Sequence, residues 1–200
     1  MHERKRPARS ELIAARARLT VDERDRHSAA IADRVQTSPG FLDAKVLAIY
    51  AAIGTEVDVA AVARRAASRG VRVVYPRVVR NDRRLAYAEA QADRLVPGPL
   101  GTLEPPFGSR EVALGEIECA VVPGVGFSRD GHRLGRGGGH YDATLAEMPR
   151  ALRIGVGFEV QVVPALPHEP HDQPLDAIAT ELRVLLFPRL KGAAPSGASR

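Results

Sequence analysis

Cysteine is nearly absent from this 200-residue chain: Cys119 is the only one, so no internal disulfide framework is available. It lies in the apolar run 117–122 and is expected to be a small core residue. No base partner is evident that would make it a nucleophile. Tryptophan is missing, and aromatic residues make up only 4% of the chain without interleaving with basic ones. That argues against a base-stacking platform for nucleic acid. No apolar run approaches the roughly 20 residues of a membrane span. The charged N-terminus is followed by no apolar segment, so no secretory signal is read there. No internal repeat is visible. These absences point to a soluble cytoplasmic protein with no membrane partner.

What is present suits one globular domain: 44% of residues are hydrophobic and 26% charged. The domain is expected over residues 1–190. The small, polar stretch Lys191–Arg200 is expected to be a disordered tail. Net charge is +5, and residues 1–20 alone hold six basic and two acidic groups. Such a balance suits nucleic acid, an acidic surface or an anionic small molecule.

Leu12, Ile13, Arg16 and Leu19 recur at helical spacing. Thr20 and Glu23 then form a capping box that opens a second helix through Ala29, Ile31 and Val35, ended by Ser38-Pro39-Gly40. Residues 45–52 form an apolar run of strand length. Residues 56–70 read as a helix capped by Gly70, and 71–76 as a strand. Further strand candidates are 85–90, 119–127, 152–158, 175–181 and 183–188, with a short helix at 140–148. Continuous apolar strands separated by helices predict an α/β fold. The expected form is a three-layer, Rossmann-like sandwich with a mainly parallel central sheet and helices on both faces. Ligands bind such sheets beyond the C-terminal ends of the strands.

The stretch Arg133-Leu134-Gly135-Arg136-Gly137-Gly138-Gly139-His140-Tyr141-Asp142 occupies such a position. It is neither a Walker A motif, since no Gly-Lys-Ser/Thr follows, nor a dinucleotide fingerprint, since His140 stands where the third glycine belongs. Its chemistry still suits an anion. Glycines let backbone N–H groups approach a phosphate, and the helix start adds unpaired N–H groups. Arg133 and Arg136 add charge, and Asp142 is a candidate metal ligand. A flexible linker would hardly carry two arginines and an aspartate between apolar elements.

Other groups read less sharply. Lys5 and Arg9 share a helix face if Pro7 lies in the first turn; taken alone they read as a solvated basic arm. Glu56 follows a strand and precedes a helix, a position equally suited to a site carboxylate and to a helix-start acid. His168, Glu169, His171, Asp172 and Asp176 invite a zinc reading, but two prolines exclude a regular helix there, and a rigid loop edging a site is the better description.

Residues 120–142, AVVPGVGFSRDGHRLGRGGGHYD, resemble the signature of the 5-formyltetrahydrofolate cyclo-ligase (methenyltetrahydrofolate synthetase) family. Other pieces agree in order: Lys5-x-x-x-Arg9, the Thr55–Asp58 segment, Gly101-x-x-Glu104-Pro105, and residues 157–181. The resemblance spans residues 5 to 187. It implies an α/β enzyme that uses ATP and magnesium to convert 5-formyltetrahydrofolate to 5,10-methenyltetrahydrofolate, releasing ADP and phosphate. By position, Lys5 and Arg9 would bind nucleotide phosphates, and the loop from Arg133 to Tyr141 would wrap ATP. Arg136 and Tyr141 would be catalytic, Asp142 and Asp176 would hold magnesium, and Glu56 and Ala51 would line the substrate pocket. A monomer is expected. The chain departs from the family pattern at His140, usually tyrosine, and at Pro7-Ala8, where a leucine usually precedes the arginine. Two rivals follow: a paralogue that binds folate and nucleotide without turnover, and a basic nucleic-acid-binding module.

Overall fold

Two helices come first in the computed structural model, which describes residues 2–187. The expected tail, and residues 188–190 of the expected domain, lie outside the described residues. Helix α1 spans His2–Ala17 and carries Lys5, Arg9, Leu12 and Arg16 at spacings that share one face. Lys5, Leu12 and Arg16 are buried. Pro7 lies inside α1 rather than in its first turn, yet the helix keeps Lys5 and Arg9 on that common face. Helix α2 spans Val21–Thr37 and opens on the expected capping box. The Glu23 N–H donates to Thr20 Oγ1 at 3.2 Å, and the Thr20 N–H donates to the Glu23 carboxylate at 2.8 Å. Ser28, Ile31, Ala32 and Val35 form its buried stripe.

Then come β1 (Val46–Ala48), α3 (Ala60–Ser68), β2 (Arg72–Val78) and β3 (Leu85–Glu89). Gly70 adopts φ +80°, the left-handed turn that ends α3. Helix α3 starts later than its apolar pattern suggested, because residues 53–56 are tied into a turn ahead of it. Three two-residue strands follow: β4 (Val96–Pro97), β5 (Leu103–Glu104) and β6 (Glu111–Val112). The second half holds β7 (Cys119–Pro123), β8 (Gly126–Ser128), β9 (Arg133–Leu134), α4 (His140–Ala146), β10 (Leu152–Val156), β11 (Val162–Val163), β12 (Ala177–Ala179) and β13 (Val184–Leu186).

The main sheet has the order β13-β12-β10-β7-β1-β2-β3-β6. Its five central strands, from β12 to β2, are mutually parallel, while β13 and β3 run antiparallel to them and β6 pairs antiparallel with β3 at the edge. Side chains alternate across β1. Leu47 and Ile49 enter a core with Ile31, Val35 and Val62 of α2 and α3, whereas Val46 and Ala48 pack with Leu145 and Met148 on the α4 side. That alternation makes the three layers. Cys119 is fully buried in the first core, and burial pushes its thiol well above the usual range.

The run 119–127 gives two strands, not one. β7 stays in the main sheet, and β8 leaves it to join β9 and β11 in a three-stranded sheet. The fully buried Phe127 explains the break. Its ring packs on Gly124, Gly155 and Gly157, where an added Cβ would lie within 2.5, 2.7 and 2.5 Å of ring carbons.

Candidate active site

Beyond the C-terminal ends of β1, β2 and β7 lies a cavity of about 510 Å³, a usual size for a small-molecule site. The glycine loop and the start of α4 form one wall. The Tyr50–Glu56 loop, α1, the loop around Asp172, the end of β2 and residues 102–104 form the others.

Helix α1 is pinned at three points. The Lys5 ammonium donates to Glu169 at 3.0 Å and Asp172 at 2.6 Å. Arg9 Nε donates to the Gly135 carbonyl at 2.9 Å. Arg16 Nε donates to Thr55 Oγ1 at 3.0 Å. Between them Leu12 is buried with Val125, Leu134 and Leu166. The departure at Pro7-Ala8 therefore leaves α1 seated. Lys5, Arg9 and Arg16, three of the basic groups of the first 20 residues, are used within the fold. Burial pulls the Lys5 pKa down, but the hydrogen bonds to Asp172 and Glu169 outweigh it and hold the ammonium above its usual value. The Asp172 carboxyl is raised by burial and lowered more by Lys5 and by the Glu169 N–H; it ends below the usual carboxylate range. Lys5 also lowers Glu169.

Within the loop, Arg133 is buried and donates to Asp142 at 2.9 Å; its guanidinium lies 5.4 Å from the centre of the Tyr141 ring. Burial pushes the Tyr141 phenol well above the usual range, so it stays protonated as a hydrogen-bond donor. Gly137 and Gly139 adopt φ +110° and +70°, which side chains rarely tolerate. His140 braces the loop. Its Nδ1 lies 2.8 Å from the Arg83 carbonyl, which can only accept, so that nitrogen carries the proton. The imidazole covers Gly138, where an added Cβ would come within 2.8 Å of it.

The ambiguity over Glu56 is resolved by its contacts. Oε2 accepts the Ile53 N–H at 3.0 Å, closing the turn ahead of α3. Oε1 accepts Arg136 Nε at 3.1 Å and Nη2 at 2.8 Å across the cavity. The Glu56 side chain is only 8% exposed, against 53% for Arg136. Glu56 is thus a fixed carboxylate facing the pocket and not a solvated helix-start acid. Ala51 lines the same side.

Lys5, Arg9, Ala51, Glu56, the loop from Arg133 to Tyr141 and Asp142 therefore share one cavity. Asp176 does not join them. It precedes β12, at the N-terminal end of the parallel strands, and its carboxylate accepts the Arg153 N–H at 2.7 Å. The carboxylates that do line the pocket from this segment are Glu169 and Asp172. Asp142 lies close by, since its Oδ1 accepts the Gln173 N–H at 3.3 Å. Strand direction was the available signal: a residue immediately before a parallel strand sits at the wrong end for this kind of site.

Residues 1–181 match the 5-formyltetrahydrofolate cyclo-ligase family. The 5-formyltetrahydrofolate cyclo-ligase of Mycolicibacterium smegmatis is 31% identical over 83% of this chain and 89% of its own length. The mouse 5-formyltetrahydrofolate cyclo-ligase is 28% identical over 88% and 93%. The NMR structure of Aquifex aeolicus 5,10-methenyltetrahydrofolate synthetase superposes with a TM-score of 0.81 at 26% identity, covering 98% of this chain and 99% of that one.

Proposed function

The chain belongs to the 5-formyltetrahydrofolate cyclo-ligase family, and from that premise we propose that it converts 5-formyltetrahydrofolate to 5,10-methenyltetrahydrofolate with ATP, releasing ADP and phosphate. The observation that carries this reading is the Arg136–Glu56 contact. It joins the phosphate-binding loop to the pterin-side carboxylate inside one cavity.

The chemistry needs that adjacency. A formamide oxygen is a poor leaving group. It attacks the γ-phosphorus, the bond to ADP breaks, and an iminium phosphate results. The second folate nitrogen then adds to the activated carbon and loses its proton, and inorganic phosphate departs with the former formyl oxygen. Enzymatic phosphoryl transfer rests on positioning and charge neutralisation. Arg136, drawn onto the transferring phosphoryl group, supplies charge where it develops. Arg9, with Lys5 behind it, faces the glycine loop; an added Cβ at Gly137 would meet the Arg9 guanidinium at 3.7 Å. Tyr141 donates a hydrogen bond from a phenol that burial keeps protonated. Glu56, released from Arg136, accepts from the N–H edge of the reduced pterin, beside Ala51.

The donor set fits magnesium: Asp142, Asp172 and Glu169 are hard oxygen ligands on one wall. Asp142 and Asp172 would hold the ion, with Asp172 in the role first given to Asp176. When bound, the ion would supply charge neutralisation for the nucleotide phosphates. Arg133 and Lys5, which neutralise these carboxylates here, are left to turn toward phosphate.

One chain furnishes every wall of the pocket, so the monomer is the working unit. No described helix is long and apolar enough to cross a membrane; we place the reaction in the cytoplasm. The test is to mix the protein with 5-formyltetrahydrofolate and MgATP and follow the methenyl absorbance. Product formed in step with ADP is expected. Binding of both ligands without product would refute the enzyme reading in favour of a binding-only paralogue. Affinity for nucleic acid that falls steeply with salt and ignores folate would favour the other rival.

A further inference from the structure

A second group of polar side chains lies outside the lining of the cavity. Asp130, His132 and His168 each offer one ligand atom, and these atoms lie within 4.8 Å of one another. The hairpin between β8 and β9 fixes the first two. The buried Ser128 hydroxyl donates to the Asp130 carboxylate and accepts the His132 N–H at 3.2 Å. The Ser128 N–H donates to the His132 carbonyl at 2.9 Å. His168 arrives from the loop after β11, its ring stacked on that of His132 at 3.8 Å between centroids and 3° between planes.

Two details point to a ligand. His132 Nδ1 is buried and has no hydrogen-bond partner among the described residues. A buried ring nitrogen without a partner is uncommon. His168 Nδ1 lies 3.3 Å from the Leu166 carbonyl, so it carries the proton and leaves Nε2 as the electron-pair donor. Metal-binding histidines are usually oriented by such a bond from the other ring nitrogen to a carbonyl.

We propose that Asp130, His132 and His168 bind one divalent ion of the zinc and cobalt class. Two imidazoles and one carboxylate form a borderline donor set, unlike the carboxylate-rich set beside the glycine loop, and select against magnesium. Ligand distances near 2.1 Å require the donor atoms to close to about 3.3 Å of one another. Asp130 and His132 are held in the hairpin, while His168 is exposed on its loop, so closure swings the His168 ring out of the stack. His132 immediately precedes Arg133, and His168 immediately precedes Glu169. The ion would clip together the two segments that position the phosphate loop and the Lys5 anchor.

The test is titration of the full chain with Co(II) in saturating magnesium, followed by visible absorbance. The expected result is one cobalt per chain, with intense bands of low coordination number that zinc abolishes. His168→Ala and Asp130→Asn should each weaken cobalt by at least about tenfold, since loss even of an outer-shell partner can do as much. Both side chains are exposed, and unchanged melting temperatures without metal would establish that the variants fold. Cobalt affinity unchanged in both variants, or wild-type protein showing no such bands, overturns the proposal. Activity with MgATP does not enter this readout, so the cyclo-ligase reading and the second metal site stand or fall separately.

Discussion

Arg136 and Glu56 bind each other across the pocket while each is assigned to a different substrate. Nucleotide phosphates that recruit Arg136 must draw it off Glu56, and the freed carboxylate is then available to the pterin. The two substrates should therefore bind with positive coupling. Its size follows from the pair. Nη2 and Nε both contact one carboxylate oxygen, at 2.8 and 3.1 Å, but Arg136 is half exposed. Partly exposed ion pairs contribute about 1 kcal/mol or less, so the pair accounts for at most about fivefold in either affinity. By linkage the factor is the same in both directions. The assay is calorimetric titration of 5-formyltetrahydrofolate with and without a non-hydrolysable ATP analogue. Wild type should show folate tightened about three- to fivefold by the analogue. In Arg136→Ala, folate without nucleotide should bind more tightly than in wild type by up to that same factor, ATP should weaken, and the pair's share of the coupling should vanish. Glu56→Gln should weaken folate more than ATP and remove the same share. A coupling factor equal in wild type and Arg136→Ala would refute the reasoning.

Asp172→Asn should raise the magnesium concentration needed for half-maximal activity by about tenfold or more, whereas Asp176→Asn should leave that dependence alone and lower the melting temperature; activity against magnesium for both variants decides it. The Lys5 anchor carries a pH signature. Its carboxylates sit below their usual range, so their contribution is present above about pH 4 and lost as pH falls through the lowered values. Lys5 sits above its usual 10.5, so its contribution holds below that value and is lost as pH rises past it. The difference in melting temperature between wild type and Lys5→Met should therefore be flat from about pH 5 to 10 and shrink in acid; a difference that shrinks near neutrality would contradict this. Gly155→Ala places a methyl 2.6 Å from Leu175 and 2.7 Å from the Phe127 ring; it should destabilise the fold by roughly 1–3 kcal/mol, read by denaturant titration.

The regular elements were legible because their signals are local. The Thr20–Glu23 box and the Gly70 cap each mark an end through bonds within a few residues. The five parallel strands were legible as apolar runs because both faces are covered. The short strands β4, β5, β6, β9 and β11 were not, since two residues leave no period to read. The break after Pro123 depends on three glycines meeting Phe127 from two strands, a contact no local pattern reveals. Among site residues, the glycine loop declared itself by composition. Arg16 read only as part of a helical repeat, and Asp172 only as part of a loop, because their roles come from partners 39 and 167 positions away.

Helix α1 is where these non-local contacts converge. Its single face meets the acidic loop through Lys5, the glycine loop through Arg9, an apolar seat through Leu12 and the Thr55-Glu56 turn through Arg16. Burial lowers the Arg16 pKa and the neighbouring Glu56 charge opposes that shift, so Arg16 lies within the electrostatic reach of Glu56 and hydrogen-bonds Thr55. A basic N-terminus that reads as a solvated arm thus becomes an element that joins the acidic loop, the glycine loop and the Thr55 turn. The glycine loop is held by Arg9 from this side and by His140 and Arg133 from the other. The loop's rigidity, which its composition alone cannot specify, therefore comes from side chains that clamp it rather than from the glycines themselves.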